Sequence, residues 1–260
     1  MSAALQATGL TLGYGERLIL DDVDLTLRSG ESVALVGGNG AGKTTLLRAL
    51  AGVAPLGRGR VMVGELDTAR ADRRALARRV GFATQHAELH VPLRAWDVAA
   101  LGLYAHGASW RALDGAERAR VSEALEAFGV LGCAERAMPS LSGGEQQRVR
   151  LAALRVQAPP VLLLDEPTSA QDLDGITKVA AWMREHCAEG GAVLAAVHDL
   201  GLALRGFERV VVLGGGRILA DGPPAEVATS AALREAYGRA PEVLCDAQGE
   251  LWVAPPLAQD

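Results

Sequence analysis

The stretch Gly37-Gly38-Asn39-Gly40-Ala41-Gly42-Lys43-Thr44 has the residue types and spacing of a P-loop, a backbone cradle for phosphate. Glycines and the small Ala41 let successive N–H groups turn inward around an anion, and the positive end of the helix that follows, from Thr45, points at the same place. Lys43 is placed to reach the β- and γ-phosphates of ATP, and the Thr44 hydroxyl to hold Mg²⁺. Composition supports that role for Lys43. Of the 26 Lys and Arg residues, all but Lys43 and Lys178 are arginine. A compact, rotatable ammonium fits among phosphate oxygens where a planar guanidinium would displace the ligand. Lys178, near Val179 and Met183, reads as an ordinary exposed helix position.

Further groups could act on a bound nucleotide. The apolar run Val161-Leu162-Leu163-Leu164 ends in Asp165-Glu166, two carboxylates leaving a strand buried on both faces. Asp165 suits the outer shell of Mg²⁺, and Glu166 suits a base that orients an attacking water. A second such run, Ala192 to Val197, ends in His198, which fits a γ-phosphate contact. Gln85 follows the run Val80 to Thr84, so it stands where open α/β sheets bind ligands and is placed to sense nucleotide and its Mg²⁺. Tyr14 stands between Gly13 and Gly15 in a chain with only 4% aromatic residues. A turn there presents its ring for stacking under an adenine, or as a cap on a sheet edge. Leu141-Ser142-Gly143-Gly144-Glu145 opens a long helix, a second anion site by the same physics as the first. The same Ser-x-x-Glu also fits a capping box that needs no ligand. His86 and His90 lie four apart, but Pro92 breaks any helix there and no third ligand cluster accompanies them, so a metal site is not expected.

The elements that must hold these groups follow from pattern. Ser32 to Val36 reads as a buried strand, the P-loop as its exit, and Thr45 to Leu50 as an amphipathic helix. Ahead of them Leu5 to Leu27 alternates in short stretches, with Val23, Leu25 and Leu27 on one face, as antiparallel strands do. Val61 to Val63 predicts an edge strand, and Arg70 to Arg79 a helix whose arginines form one solvated face. From Arg94 the character turns helical: Ala95 to Leu103, then Glu117 to Phe128 with Val121, Leu125 and Phe128 on one stripe, Gly107 and Gly115 marking the joints. The expected fold is α/β: a P-loop NTPase core with a mainly parallel sheet, an N-terminal antiparallel β subdomain and an inserted helical subdomain. A single domain spans 1–260, its core and antiparallel part at about 1–93 and 159–260, its helical part at about 94–158.

At 260 residues and 49% hydrophobic content the chain can bury one large core or two modest ones. A net charge of −5 argues against nucleic acid as a partner, since counterion release needs a basic surface. No apolar run has the length of a membrane span, and Met1-Ser2-Ala3-Ala4 lacks the regions of a signal peptide, so the expectation is a soluble, cytoplasmic chain. Cys133, Cys187 and Cys245 are odd in number and far apart, which predicts reduced, structural thiols.

Tyr14, the P-loop, Gln85, Leu141 to Glu145, Asp165-Glu166, Ser169-Ala170-Gln171-Asp172 and His198, in that order, resemble the ATP-binding subunit of ATP-binding cassette (ABC) transporters. The most specific part is Leu-Ser-Gly-Gly-Glu joined to Gln146-Gln147-Arg148 and followed by Leu-Leu-Leu-Asp-Glu-Pro-Thr. The resemblance implies ATP hydrolysis with Mg²⁺. It also implies a head-to-tail dimer with a second copy, in which Leu141 to Glu145, through Ser142, Gly143 and Gly144, bind the γ-phosphate held by the partner, and Ser169 to Asp172 cross the interface. Gln171 stands where the family usually has Leu. Val149 to Ala153, Ala100-Leu101-Gly102 and Leu233-Arg234-Glu235-Ala236-Tyr237-Gly238 look like subunits of importers for iron-siderophores, haem or cobalamin. Those proteins often carry Arg and Pro where Leu103 and Ala105 stand here. Implied partners are integral membrane permease subunits and a separate substrate-binding protein, with the chain peripheral on the cytoplasmic face of the inner membrane. An exporter subunit, another metal importer and a soluble cassette ATPase are the alternatives. Leu89, Val91, Leu93, Trp96, Leu101, Leu103 and Tyr104 are apolar candidates for a groove that receives a short permease helix.

Overall fold

A computed structural model describes residues 2–15, 17–84, 92–107, 112–169, 171–238, 241–246 and 251–254. Strands β1 (Ala3–Tyr14) and β2 (Arg17–Arg28) form the expected antiparallel pair, with Val23, Leu25 and Leu27 buried together. β3 (Ser32–Val36) leads through the P-loop into α1 (Lys43–Leu50), whose Leu46, Leu47 and Leu50 are fully buried. β4 (Arg58–Val63) is not an edge strand. The chain turns back after Val63 so that β5 (Leu66–Asp67) covers its free side, and the sheet order is β2-β1-β4-β5.

Helix α2 (Arg73–Ala77) is shorter than the arginine pattern suggests. The Asp72 carboxylate accepts the N–H groups of Arg74 and Ala75 at 3.0 and 2.9 Å and starts the helix there. Arg70, Arg73, Arg74, Arg78 and Arg79 are all exposed, as the pattern predicts, but some of them also bind other segments. Arg74 donates to the Tyr104 carbonyl at 3.2 Å and lies over the Tyr104 ring, while Arg78 reaches the Ala105 carbonyl.

β6 (Val80–Ala83) is followed, among the described residues, by the helical insert: α3 (Ala95–Ala100), a 3₁₀ stretch Leu101–His106, α4 (Gly115–Ala127) and α5 (Gly143–Gln157). A Cβ on Gly102 would meet the Ala153 carbonyl oxygen at 2.2 Å, so only glycine lets this stretch lie directly on α5. Of the groove candidates, Leu103 is buried, Leu93 and Trp96 are half-buried, and Leu101 and Tyr104 are exposed. Leu89 and Val91 lie outside the described residues.

β7 (Val161–Asp165), α6 (Leu173–Ala188), β8 (Ala192–Ala196), α7 (Leu200–Gly206), β9 (Arg209–Gly214) and β10 (Arg217–Gly222) complete the main sheet. Its order is β10-β9-β3-β8-β7-β6, parallel throughout except for the β9–β10 hairpin. Strand alternation divides the core: Leu162 and Leu164 face the insert and α6, Val161 and Leu163 face α1 and the antiparallel sheet. Each such buried side chain contributes roughly 1.5–3 kcal/mol of hydrophobic stabilisation. Two short helices, α8 (Pro224–Ala228) and α9 (Ala231–Tyr237), and the hairpin β11 (Glu242–Cys245) and β12 (Leu251–Ala254) close the chain against β9 and α7. All three cysteines are free. No helix among the described residues is long and apolar enough to cross a membrane.

Because β3, β7 and β8 run parallel and adjacent, the P-loop, Asp165-Glu166 and His198 leave the sheet at one edge.

Candidate functional site

That edge carries a cleft of ≈ 420 Å³ lined by Asn39 to Thr45, Glu166, His198, Arg17 and Ile19. Gly37 and Gly38 stand behind it. A Cβ on Gly37 would fall 2.1 Å from the Leu213 carbonyl oxygen, and one on Gly38 would fall 2.7 Å from that of Ala236. These two glycines therefore serve the packing of the loop on β9 and α9, and the residues after them face the cleft. The buried Lys43 ammonium folds back and donates to the carbonyls of Gly37 at 2.7 Å and Gly38 at 3.2 Å. Burial pushes its pKa down, opposed by the carboxylates of Glu166 and Asp165. An anion in the cleft would have to draw this ammonium away from two neutral oxygens, an exchange that Coulomb attraction favours.

Asp165 and Glu166 are both buried, at 3% and 8% exposure. Glu166 has φ 53°, a left-handed conformation unusual for a residue other than glycine. Its backbone is held from three sides: its N–H donates to the Ala196 carbonyl at 3.0 Å, and its carbonyl accepts from Gln147 Nε2 at 2.8 Å and Ser169 Oγ at 2.9 Å. The bent backbone aims the carboxylate into the cleft, where it contacts His198 Nε2. The Asp199 carboxylate, by contrast, caps α7 by accepting from Leu202 N–H at 3.0 Å. Gln147 stands in the sequence only as part of the Gln146-Gln147-Arg148 run, with no contact assigned to it. Its signal is positional: it shares a helix stripe with Leu151 and Leu154, and a polar residue on an apolar stripe must have a buried partner.

The cleft offers a hydroxyl at Thr44, and the buried Asp165 carboxylate, which does not line it, lies near enough to act on the Lys43 charge; both are hard oxygen donors of the kind that hold Mg²⁺ together with substrate phosphates. Residue types therefore fit the ion. Gln85, which adjoins Thr84 in the sequence, lies outside the described residues, as do His86 and His90.

Tyr14 is 54% exposed and borders a neighbouring recess of ≈ 450 Å³ with Arg48, Val53, Ala54, Pro55, Phe82 and Thr84. It does not line the phosphate cleft itself; Arg17 and Ile19, just beyond the β1–β2 turn, do. Neither was singled out in the sequence: Ile19 has no side-chain ligating atom, and Arg17, a type that does bind phosphate, is one arginine among many in this chain.

Ser142 is the N-cap of α5 and makes the capping box with Glu145. Its N–H and hydroxyl donate to Glu145 Oε2 at 2.7 and 2.8 Å, and its Oγ accepts from the Glu145 N–H at 3.3 Å. Leu141 is buried beneath, Ser142 and Gly143 are exposed, and none of Leu141 to Glu145 lines the phosphate cleft of the same chain. The Ser142 backbone and hydroxyl, with the Cys133 thiol behind them, bring the Glu145 pKa from 4.5 to about 2. A depressed carboxylate pKa gives stability that is present above its unfolded value and is lost as pH falls toward its folded one. Melting temperatures of the wild type and of Glu145→Gln, measured from pH 6 to pH 2, should therefore converge between about pH 4.5 and 2. A gap that stays constant with pH would mean that the carboxylate charge has no part in the cap.

Residues 20–169 match the ABC transporter family. Among curated proteins the chain is 42% identical over 239 residues to the hemin import ATP-binding protein HmuV of Streptomyces coelicolor, covering 91% of this chain and 84% of that one. It is 39% identical over 245 residues to the HmuV of Bradyrhizobium diazoefficiens, covering 91% and 89%. Among solved structures it is similar to an ATP-binding subunit of an ABC transporter, at TM-score 0.79 and 27% identity over 90% of this chain and 95% of that one. An ATP-binding cassette in a dimeric, post-hydrolysis state with ADP and Pi bound aligns at TM-score 0.75 and 27% identity, over 85% and 98%.

Proposed function

Because the chain belongs to the ABC transporter family, we propose that it is the ATP-hydrolysing subunit of a membrane importer whose cargo is haem. The chemistry rests on one observation: three adjacent parallel strands deliver the P-loop, Glu166 and His198 to a single cleft, with the buried Asp165 one residue before Glu166 at the end of its strand. The cargo rests on the HmuV relatives, which favour haem over iron-siderophores and cobalamin.

In this reading the backbone N–H groups of Gly40 to Thr45 receive the phosphates, and Lys43 leaves the Gly37 and Gly38 carbonyls for the β- and γ-phosphate oxygens. Thr44, Asp165 and Gln85 would hold Mg²⁺, which would supply positive charge to the triphosphate. Glu166 takes the proton of the attacking water, and His198, beside its carboxylate, contacts the γ-phosphate. Tyr14 stacks on the adenine from the recess next door. A second copy completes the site head to tail, placing its Ser142, Gly143 and Gly144 on the γ-phosphate. Supporting this are the exposure of Ser142 and Gly143, their absence from the lining of the chain's own cleft and the dimeric state of the similar cassette. The first contact on the membrane side is with permease subunits, at the exposed Leu101 and Tyr104 of the insert, on the cytoplasmic face of the cell membrane. A separate substrate-binding protein would bring haem to the outer side.

Single cysteines at Leu101 and Tyr104, in a chain whose three native cysteines are replaced by Ser, should crosslink to an integral membrane protein in native vesicles, in a pattern that changes on adding ATP. Haem, presented on the outer side, should raise ATP turnover in the same vesicles. Vesicles with active ATPase and no crosslink from either position would remove the transport reading and leave a soluble ATPase. Stimulation by a different chelate would change the cargo alone.

A further inference from the structure

Helix α9 has no part in the chemistry above, although Leu233 to Gly238 stand out in the sequence. Buried Ala232 and Leu233 fix it on β9, and Gly238, at φ 72°, ends it immediately after Tyr237. The half-buried Tyr237 side chain packs on the same core, and its hydroxyl oxygen accepts the N–H of Gly37 at 3.1 Å, across 200 residues of sequence. The contact is part of a wider seat, since the Ala236 carbonyl occupies the space where a Cβ on Gly38 would go. Gly37 is thus held at both ends of its peptide chemistry. Its N–H is taken by Tyr237, and its carbonyl by the Lys43 ammonium at 2.7 Å.

We propose that Tyr237 is a positioning residue that fixes the entrance of the phosphate loop, and with it the resting seat of Lys43, from the C-terminal helix. It acts through the loop and not on the ligand, because Gly37 stands behind the cleft and Tyr237 is absent from its lining. The physical reason is polar satisfaction. The loop leaves β3 at Gly37, where an N–H without a partner would cost free energy and let the peptide rotate. A loop free to rotate must be ordered again each time nucleotide binds, which weakens binding without changing the bound geometry. Burial pushes the Tyr237 pKa up, which keeps the phenol neutral through the physiological range and its hydroxyl intact.

The inference rests on the reading of the loop as an ATP site, and the test separates the two. Tyr237→Phe keeps the ring and its packing and deletes only the acceptor. ATP and ADP affinities, read by calorimetry, should fall together by about three- to tenfold, with KM for ATP rising by the same factor and kcat changing less than twofold. Amide hydrogen exchange at Gly37 should speed up while the amides of α9 keep their wild-type rates. A purely structural role would instead lower the melting temperature and speed exchange throughout α9 and β9. A Phe variant with wild-type nucleotide affinity and unchanged exchange at Gly37 overturns the proposal. A wild-type chain that binds neither ATP nor ADP removes the ATP-site reading, and exchange at Gly37 still decides whether Tyr237 fixes the loop.

Discussion

Glu166→Gln should bind ATP as the wild type does and hydrolyse it about 10²–10⁴ times more slowly, the range that a positioned general base contributes. The substitution is close to isosteric, and the bonds that set the bent backbone of Glu166 come from Gln147, Ser169 and Ala196 to main-chain atoms only. None of them uses the side chain that is changed. What is lost is the proton acceptor and its pairing with His198. If two copies close over two nucleotides, blocking hydrolysis should also trap the closed form. Size-exclusion with light scattering in ATP and Mg²⁺ should then show a dimer for Glu166→Gln and mostly monomer when nucleotide is omitted. Adding Ser142→Arg should abolish that dimer, because a long cation at the exposed N-cap fills the space meant for the partner's phosphate. The cap itself is worth about 0.5–2 kcal/mol, so the double variant needs a melting curve to show that α5 survives. Wild-type turnover in Glu166→Gln would pass the role of base to another group. A variant that is hydrolytically dead yet monomeric under every nucleotide condition would leave the base in place and remove the sandwich.

That the P-loop, Asp165-Glu166 and His198 stand at strand ends was legible in the sequence because each is announced locally. An apolar run of strand length that ends in Asp165-Glu166 specifies both burial and direction, and a Gly-rich exit from a buried strand specifies an anion. What could not be read are contacts between distant residues whose types carry no period. Gln147 reaching Glu166, Arg74 reaching Tyr104 and Tyr237 reaching Gly37 all depend on which elements the topology makes neighbours. The Arg70 to Arg79 stretch was legible only in part. Its arginines are exposed as the spacing suggests, yet Asp72 caps the helix late, and Arg73 and Arg74 also donate to carbonyls of other segments. The Leu141 to Glu145 stretch is a different case, since both of its sequence readings describe one helix start. The capping box satisfies Ser142 and Glu145 within the chain, and the outer face of the same turn stays open for an anion from elsewhere.

Lys43→Ala should lose ATP and ADP affinity by at least about 10- to 100-fold, as expected for removing charge-assisted hydrogen bonds of about 1.5–3 kcal/mol, and should show no measurable turnover. The fold should persist, because two effects of the change oppose each other. The variant leaves the carbonyls of Gly37 and Gly38 without the ammonium that they now receive, but it also removes a buried cation whose own desolvation is unfavourable. A melting temperature within a few degrees of the wild type, beside the lost affinity, would separate a ligand role from a packing role. Lys43→Arg should not rescue binding. The guanidinium is as charged as the ammonium, but it is planar and too broad for a seat bounded by two loop carbonyls, which accounts for lysine at this position in a chain whose other lysine is Lys178 alone. The pH dependence supplies an independent sign. Burial lowers the Lys43 pKa, so in the nucleotide-free protein the ammonium gives up its proton at a lower pH than an exposed lysine would, and ATP affinity should decline as pH rises through that value. In Lys43→Ala the residual affinity should lack this alkaline decline. An alanine variant that binds ATP as tightly as the wild type, or one whose affinity keeps the same alkaline decline, would place the phosphate charge on some group other than Lys43.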